Sequence, residues 1–215
     1  MAVNLVMFSD QDAEGSRVVE ERLLALLSGR GKRVGYVPAE LDQRRGWFGI
    51  TQRHYARLGL ALEESFVDWA MDPRQLEKLW QCDAIHLSGG NTFRFLHWLR
   101  AFGLLELLRA YARDGVLVGV SAGSILMTPD IGSAALCEDE REEGPQNDAG
   151  LGLVDFCVRP HFDGSAAAIE EWLRYSSTVA GPVYGIPDGS GIVVADGAIE
   201  LVGSVSVARN GARVT

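Results

Sequence analysis

The sequence predicts an α/β fold: a mostly parallel central sheet with helices on both faces and short antiparallel strands near the C-terminus. Three observations predict it. Short apolar runs alternate with segments of helical period. The runs are nearly continuous in apolar character, as strands buried on both faces require. After about Thr128 the texture changes to glycine-rich turns between brief strand-like runs. At 215 residues, with 47% hydrophobic and 23% charged residues, the chain fits one domain, residues 1–215, and can bury a full core.

Val3–Phe8 reads as a buried strand, and Arg17–Leu27 as a helix turning Val18, Val19, Leu23, Leu24 and Leu27 inward until Gly29 and Gly31 stop it. Arg33–Val37 is the next strand, Phe48–Leu58 a helix, and Leu60–Phe66 a strand or the approach to one. Pro73–Trp80 is helical and Ala84–Leu87 a short strand; Thr92–Phe102 and Leu104–Arg113 are helices parted by Gly103. Val116–Val120 is a strand running straight into Ser121. Asp130–Gly150, rich in Gly, Asp and Glu, reads as a long loop, a feature more often functional than idle. Leu153–Arg159 is strand-like and Ala166–Tyr175 helical. Gly191–Ala195, Ala198–Val202 and Ser204–Arg209 are short strands joined by Asp196-Gly197 and Asn210-Gly211 turns.

Composition narrows the partners. A net charge of −9 repels phosphate backbones and anionic lipid, so neither nucleic acid nor membrane is expected. The three cysteines, Cys82, Cys137 and Cys157, share no repeated spacing, which suits reduced thiols in a cytoplasm. No basic leader precedes the first strand, and no apolar stretch is long enough to span a bilayer.

The chemistry centres on Gly119-Val120-Ser121-Ala122-Gly123. Gly-x-Ser-x-Gly stands directly after an apolar strand and before a short helical run, Ser124–Met127, where a nucleophile elbow places its serine. Small neighbours let the backbone pass close, and the N–H of the next residue faces the oxyanion. Ser88-Gly89-Gly90-Asn91-Thr92-Phe93 follows another strand and opens a helix, with Asn91 or Thr92 as N-cap. Its glycines leave bare N–H groups at the carboxyl end of a parallel strand, where α/β sheets bind ligands.

Four histidines compete for the role of base. His54 lies on a basic helix face and reads as solvated; His86, inside a strand, reads as a core histidine; His97, mid-helix, reads as structural. His161 follows Val158-Arg159-Pro160 at the end of an apolar strand, where a loop can hold a catalytic group. The order serine, acid, histidine places the orienting carboxylate among Asp130, Glu138, Asp139, Glu140, Glu142, Glu143, Asp148 and Asp155, and spacing does not choose.

In four blocks the chain resembles peptidase E, the aspartyl dipeptidases of the class I glutamine amidotransferase-like fold. The blocks are Ser88–Phe93, Gly119–Gly123, Arg159-Pro160-His161-Phe162 and Gly185-Ile186-Pro187-Asp188-Gly189-Ser190, in family order. The resemblance implies Ser121 as nucleophile, His161 as base, and the N–H groups of Ala122 and of Gly89 or Gly90, with Gly90 preferred, as oxyanion donors. It implies a substrate with an N-terminal Asp. A small peptide bound near Asn91 is expected of a compact domain, the mechanism needs neither metal nor organic cofactor, and the chain is expected as a monomer or homodimer. Where typical members carry the acid, this chain has Leu136 followed by Cys137, Glu138 and Asp139. The resemblance therefore suggests Glu138, with Asp139 and Asp130 still open. Typical members also have an Arg-rich helix after the histidine; here Asp163–Tyr175 offers Arg174 beside Glu170 and Glu171. Arg174 and Arg159 are the expected cations for a substrate carboxylate. The alternatives are a same-fold hydrolase of another amide, such as a cyanophycin-like Asp–Arg polymer, and a catalytically inactive small-molecule-binding module.

Overall fold

The structure, a computed structural model, describes residues 3–11, 15–40, 42, 44–63, 73–141 and 147–214. In chain order the elements are β1 (Asn4–Phe8), α1 (Arg17–Leu26), β2 (Arg33–Val37), α2 (Gly46–Arg57), β3 (Ala61–Leu62), α3 (Pro73–Trp80) and β4 (Ala84–Leu87). Then come α4 (Thr92–Ala101), α5 (Leu104–Tyr111), β5 (Val116–Val120), α6 (Ala122–Leu126) and a 3₁₀ helix (Gly132–Cys137). The chain closes with β6 (Cys157–Arg159), α7 (Ala166–Ser176), β7 (Val183–Gly185), β8 (Gly191–Ala195), β9 (Ala198–Val202), β10 (Ser206–Arg209) and β11 (Ala212–Val214).

A seven-stranded sheet runs β3-β2-β4-β5-β1-β8-β9. Its first five strands are parallel, and β8 and β9 extend it antiparallel beyond β1. Strands β1, β2, β4, β5 and β8 are buried on both faces, as their unbroken apolar runs require, while the edge strand β9 is largely exposed. Within β1, Leu5 and Met7 face a cluster that includes Phe95 and Leu99 of α4, Leu104 and Leu108 of α5 and Ile125 of α6. Val6 and Phe8 face the opposite cluster, with Val19 and Leu23 of α1 and Phe48 and Tyr55 of α2. A second, four-stranded sheet, β11-β10-β7-β6, carries its own core under α7, built on Phe162, Trp172, Val183 and Ala208.

The α/β architecture expected from the apolar runs is present, with helix ends shifted by a residue or two. The Asp196-Gly197 and Asn210-Gly211 turns form with both residues at positive φ, the backbone of a type I′ hairpin. Other expectations change. The strand expected over Leu153–Arg159 is confined to its last three residues. The Asp130–Gly150 loop holds the 3₁₀ helix and is closed at its base by an Asp130–Ala149 bridge. Of the Leu60–Phe66 strand only Ala61–Leu62 forms, and residues 64–66 lie outside the described residues.

Strands β7 and β11 were not read from sequence. Each is three residues long: β7 takes its ladder from β6 and β10, segments distant in sequence, and β11 pairs with β10 across the Asn210-Gly211 turn. His54 is not solvated: α2 turns it inward, 8% exposed, with Nε2 3.0 Å from Glu20 on α1. His97 is exposed on α4. Among the described residues no helix is long and apolar enough to cross a membrane.

Candidate active site

Strand β5 ends at Ser121, whose φ of 48° and ψ of −105° are strained for an L-residue. The surroundings enforce that backbone. The Ser121 N–H donates to the Phe8 carbonyl at 3.1 Å, tying the turn to β1. The Ser124 hydroxyl reaches the Phe8 and Gly119 carbonyls at 2.8 and 2.9 Å. The flanking glycines answer to space. A Cβ on Gly119 would stand 2.6 Å from the Gly123 carbonyl carbon, and one on Gly123 only 2.1 Å from the Leu87 carbonyl oxygen. The motif is therefore a steric specification for passing α6 over β4.

His161 comes from the second sheet. Pro160 ends β6, and His161 takes a positive φ of 53° that swings its ring toward the elbow. Its Nε2 lies 2.9 Å from Ser121 Oγ and its Nδ1 2.8 Å from Asp188 Oδ1. Asp188 sits in the turn between β7 and β8, closed by the Ser190 N–H donating to the Pro187 carbonyl at 3.0 Å. Ser9, fully buried just after β1, joins the two: its hydroxyl accepts the His161 N–H and donates to Asp188 Oδ1, both at 2.8 Å. His161 and Asp188 are 44% and 48% exposed, so the dyad stands open to an arriving substrate.

The expected acid is displaced. The carboxylate on His161 Nδ1 is Asp188, whereas Glu138 occupies the left-handed C-cap of the 3₁₀ helix at φ 62°. Of the other candidates before His161, Asp139, Asp130 and Asp148 have structural partners. Asp139 accepts the Thr92 N–H at 2.7 Å and so caps α4. Asp130 accepts the Gly132 N–H and the Tyr175 hydroxyl. Asp148 holds Arg141 through both oxygens, Asp155 is exposed, and the Glu140 carbonyl accepts from Asn91. Glu142 and Glu143 lie outside the described residues. Restricting the search to the interval before the histidine hid Asp188. Its signal was a Pro-Asp-Gly turn between two strand-like segments, the same kind of strand-end position that singled out His161.

The substrate-binding expectations fare differently. Asn91 caps α4, accepting the Arg94 N–H, and donates to the Glu140 carbonyl, so its amide is engaged within the fold. Arg159 is 6% exposed and holds the Ala168 and Leu136 carbonyls and Glu171, pinning the second sheet to α7. Arg174 stands exposed in the last turn of α7 and lines neither cavity flanking Ser121 and His161. Gly89 and Ala122 flank the serine: a Cβ on Gly89 would be 3.8 Å from Ser121 Cβ, and Ala122 opens α6, where N–H groups have no acceptor within the helix. Gly90, at φ 138°, has no room for a side chain because Ala39 would be 2.8 Å away. The cysteines offer no rival nucleophile nearby, since burial pushes the Cys137 thiol up to about 12 and raises Cys157 as well.

This arrangement, a strained serine hydrogen-bonded to a histidine that is itself oriented by a carboxylate, is the constellation of nucleophilic acyl transfer. The model of peptidase family S51 matches residues 5–202. The chain belongs to peptidase family S51. The S51 assignment is consistent with individual relatives. Peptidase E of Streptomyces coelicolor is 29% identical over 163 residues, 74% of this chain and 64% of the relative. Peptidase E of Nostoc sp. is 28% identical over 142 residues, 61% of this chain and 57% of the relative. A protein named pyridoxal 5'-phosphate synthase subunit PdxT, from Mycolicibacterium vanbaalenii, is 34% identical over 140 residues, 64% of this chain and 65% of the relative. The chain thus spans less than two thirds of the length of these relatives. The S51 fold is also seen in a crystal structure described as a peptidase E protein from Listeria monocytogenes EGD-e. It superposes with a TM-score of 0.74 at 24% identity, over 95% of this chain and 100% of that one. A peptidase from an acI-B1 actinobacterium superposes at 0.75 with 19% identity, over 100% and 93%.

Proposed function

We propose that this S51 peptidase is a serine-type enzyme that hydrolyses short peptides through Ser121, His161 and Asp188. The observation that supports it most is the continuous hydrogen-bond path from Ser121 Oγ through the imidazole to Asp188, with steps of 2.9 and 2.8 Å. His161 Nε2 takes the Ser121 proton as Oγ attacks the peptide carbonyl. Asp188 holds Nδ1–H and stabilises the imidazolium. The N–H groups of Ala122 and Gly90 are the proposed donors to the oxyanion. His161 then protonates the leaving amine, and a water activated by the same nitrogen releases the acyl group from Ser121. The aspartate preference implied by the resemblance gains no support from Arg159 or Arg174, one spent on the fold and the other exposed on α7.

A fluorophosphonate probe tests this reading directly. Wild-type protein should be labelled and Ser121→Ala should not, and a screen of X-Leu dipeptides should show turnover by the wild type alone. An unlabelled wild type would favour the inactive binding module.

A further inference from the structure

Beside the elbow lies a cavity of about 420 Å³, reached over Gly89, Gly90 and Val120. Its walls carry Asp10, Glu40 and Asp42, and among the described residues that line it there is no lysine or arginine. Glu40 is held by Arg94 at 2.8 Å. Asp42 spends its two oxygens on the Gly46 and Phe48 N–H groups at the start of α2, which leaves its charge intact. Arg45, close in sequence, lies over the Phe48 ring and does not line the cavity. His86, also on the wall, adds no positive charge near neutral pH, because burial lowers it to about 3.

Two further features point to a ligand. Trp47 is 70% exposed at the cavity, an aromatic face of the kind that cations cover. Gln11 lines the same cavity and is only 8% exposed; its side chain stands near the Tyr55 hydroxyl, which is engaged with His86 Nδ1, and its Nε2 completes no hydrogen bond among the described residues. A buried amide donor left without a partner is costly, and a ligand acceptor would relieve it.

We propose that this cavity is a substrate subsite for a positively charged group, a basic side chain of the peptide that Ser121 attacks, and that Gln11 Nε2 donates to a carbonyl of that peptide. The inference rests on Ser121 being the nucleophile, since Gly89 and Val120 connect the cavity to it. Selectivity follows from charge. A cation entering the cavity meets carboxylates and an aromatic face, whereas an aspartate side chain meets like charge with no counter-ion on the wall.

The test is calorimetric titration of Ser121→Ala, which binds without turnover, with Arg-Leu, Leu-Arg, Lys-Leu, Leu-Lys, Asp-Leu and Leu-Asp. At least one basic peptide should bind on the order of tenfold or more tighter than its acidic counterpart. That preference should shrink when sodium chloride rises from about 50 to 500 mM, and should fall to within a few-fold on adding Asp10→Asn and Asp42→Asn. Asn at position 42 still accepts N–H groups, and should Asp42→Asn unfold the protein, Asp10→Asn and the salt series carry the test. Adding Gln11→Leu should weaken all the peptides alike by several-fold. Acidic peptides binding as well as basic ones, a preference indifferent to salt and to the aspartates, or no binding by any peptide would overturn the proposal. Absence of fluorophosphonate labelling in the wild type is a separate result: it would remove the hydrolase reading on which the proposal rests, whereas the peptide titrations test the subsite itself.

Discussion

The two halves of the candidate site are made in different ways. The Ser121 half grows from the carboxyl ends of β4 and β5, where glycines, a strained φ and two hydrogen bonds to Phe8 are set within a few residues of one another. The half bearing His161 and Asp188 hangs on the second sheet and on the turn leading back into the first, with the aspartate 27 positions after the histidine. One half is specified locally and closely packed; the other is an assembly of distant segments, exposed and joined to the first through Ser9. The proposed catalytic geometry therefore depends on the docking of two sheets as much as on the elbow.

Removing the reacting groups should have the largest effect. Ser121→Ala and His161→Ala should each lower kcat by on the order of 10⁵ or more with the melting temperature little changed, since the triad acts as a unit. Retention of more than a tenth of kcat in Ser121→Ala would dissolve the comparison at its root. Next comes the acid. Asp188→Asn should cost on the order of 10⁴ in kcat through loss of the correct tautomer, whereas Glu138→Gln should stay within a few-fold. The reverse ranking would return the acid to the 3₁₀ helix.

How much of this was legible follows from the same division. Ser121, Ala122 and the Gly89-Gly90 pair were readable because strand, small residues and turn are contiguous. His161 was readable because Pro160 marks a strand end. Asp188 and Ser9 were not, because their roles exist only after β1, β6 and β8 meet; Ser9 and Asp188 bond across 179 residues. Asn91, Arg159 and Arg174 had the right chemistry for a substrate site but spend it on helix capping, on the second sheet and on solvent. Sequence shows a residue's capacity for hydrogen bonds, not which of them the fold has already used.

The sheet half also carries an acid sensitivity. Burial lowers His86 from 6.5 to about 3, helped by the nearby His54, so the folded protein keeps it neutral while the unfolded chain protonates below about 6.5. Its contribution is present above that pH and is lost as pH falls toward 3. Denaturant unfolding should therefore weaken by up to about 1.4 kcal/mol per pH unit below 6. His86→Phe should flatten that slope; an unchanged slope would place the sensitivity elsewhere.

Ser9→Ala probes the link between the halves. It removes a hydrogen bond to Asp188 and leaves the His161 N–H without its acceptor. We expect kcat to fall about tenfold, with stability lower by about 1–3 kcal/mol. Ser9→Thr, which restores the hydroxyl, should recover part of kcat; no loss on Ser9→Ala would show that the ring is positioned without it. The smallest effect is expected at Arg174→Met, which should leave KM for Asp-Leu and Ala-Leu unchanged. A selective rise for Asp-Leu would bring α7 into the substrate site after all.

The place of β1 has a consequence for synthesis. This strand is made first, yet its neighbours in the sheet, β5 and β8, and the residue its end must meet, Asp188, leave the ribosome much later. Until Asp188 has emerged, Ser121 has no oriented histidine beside it. On the proposed function, a growing chain that stops short of Asp188 should therefore be unable to hydrolyse peptides.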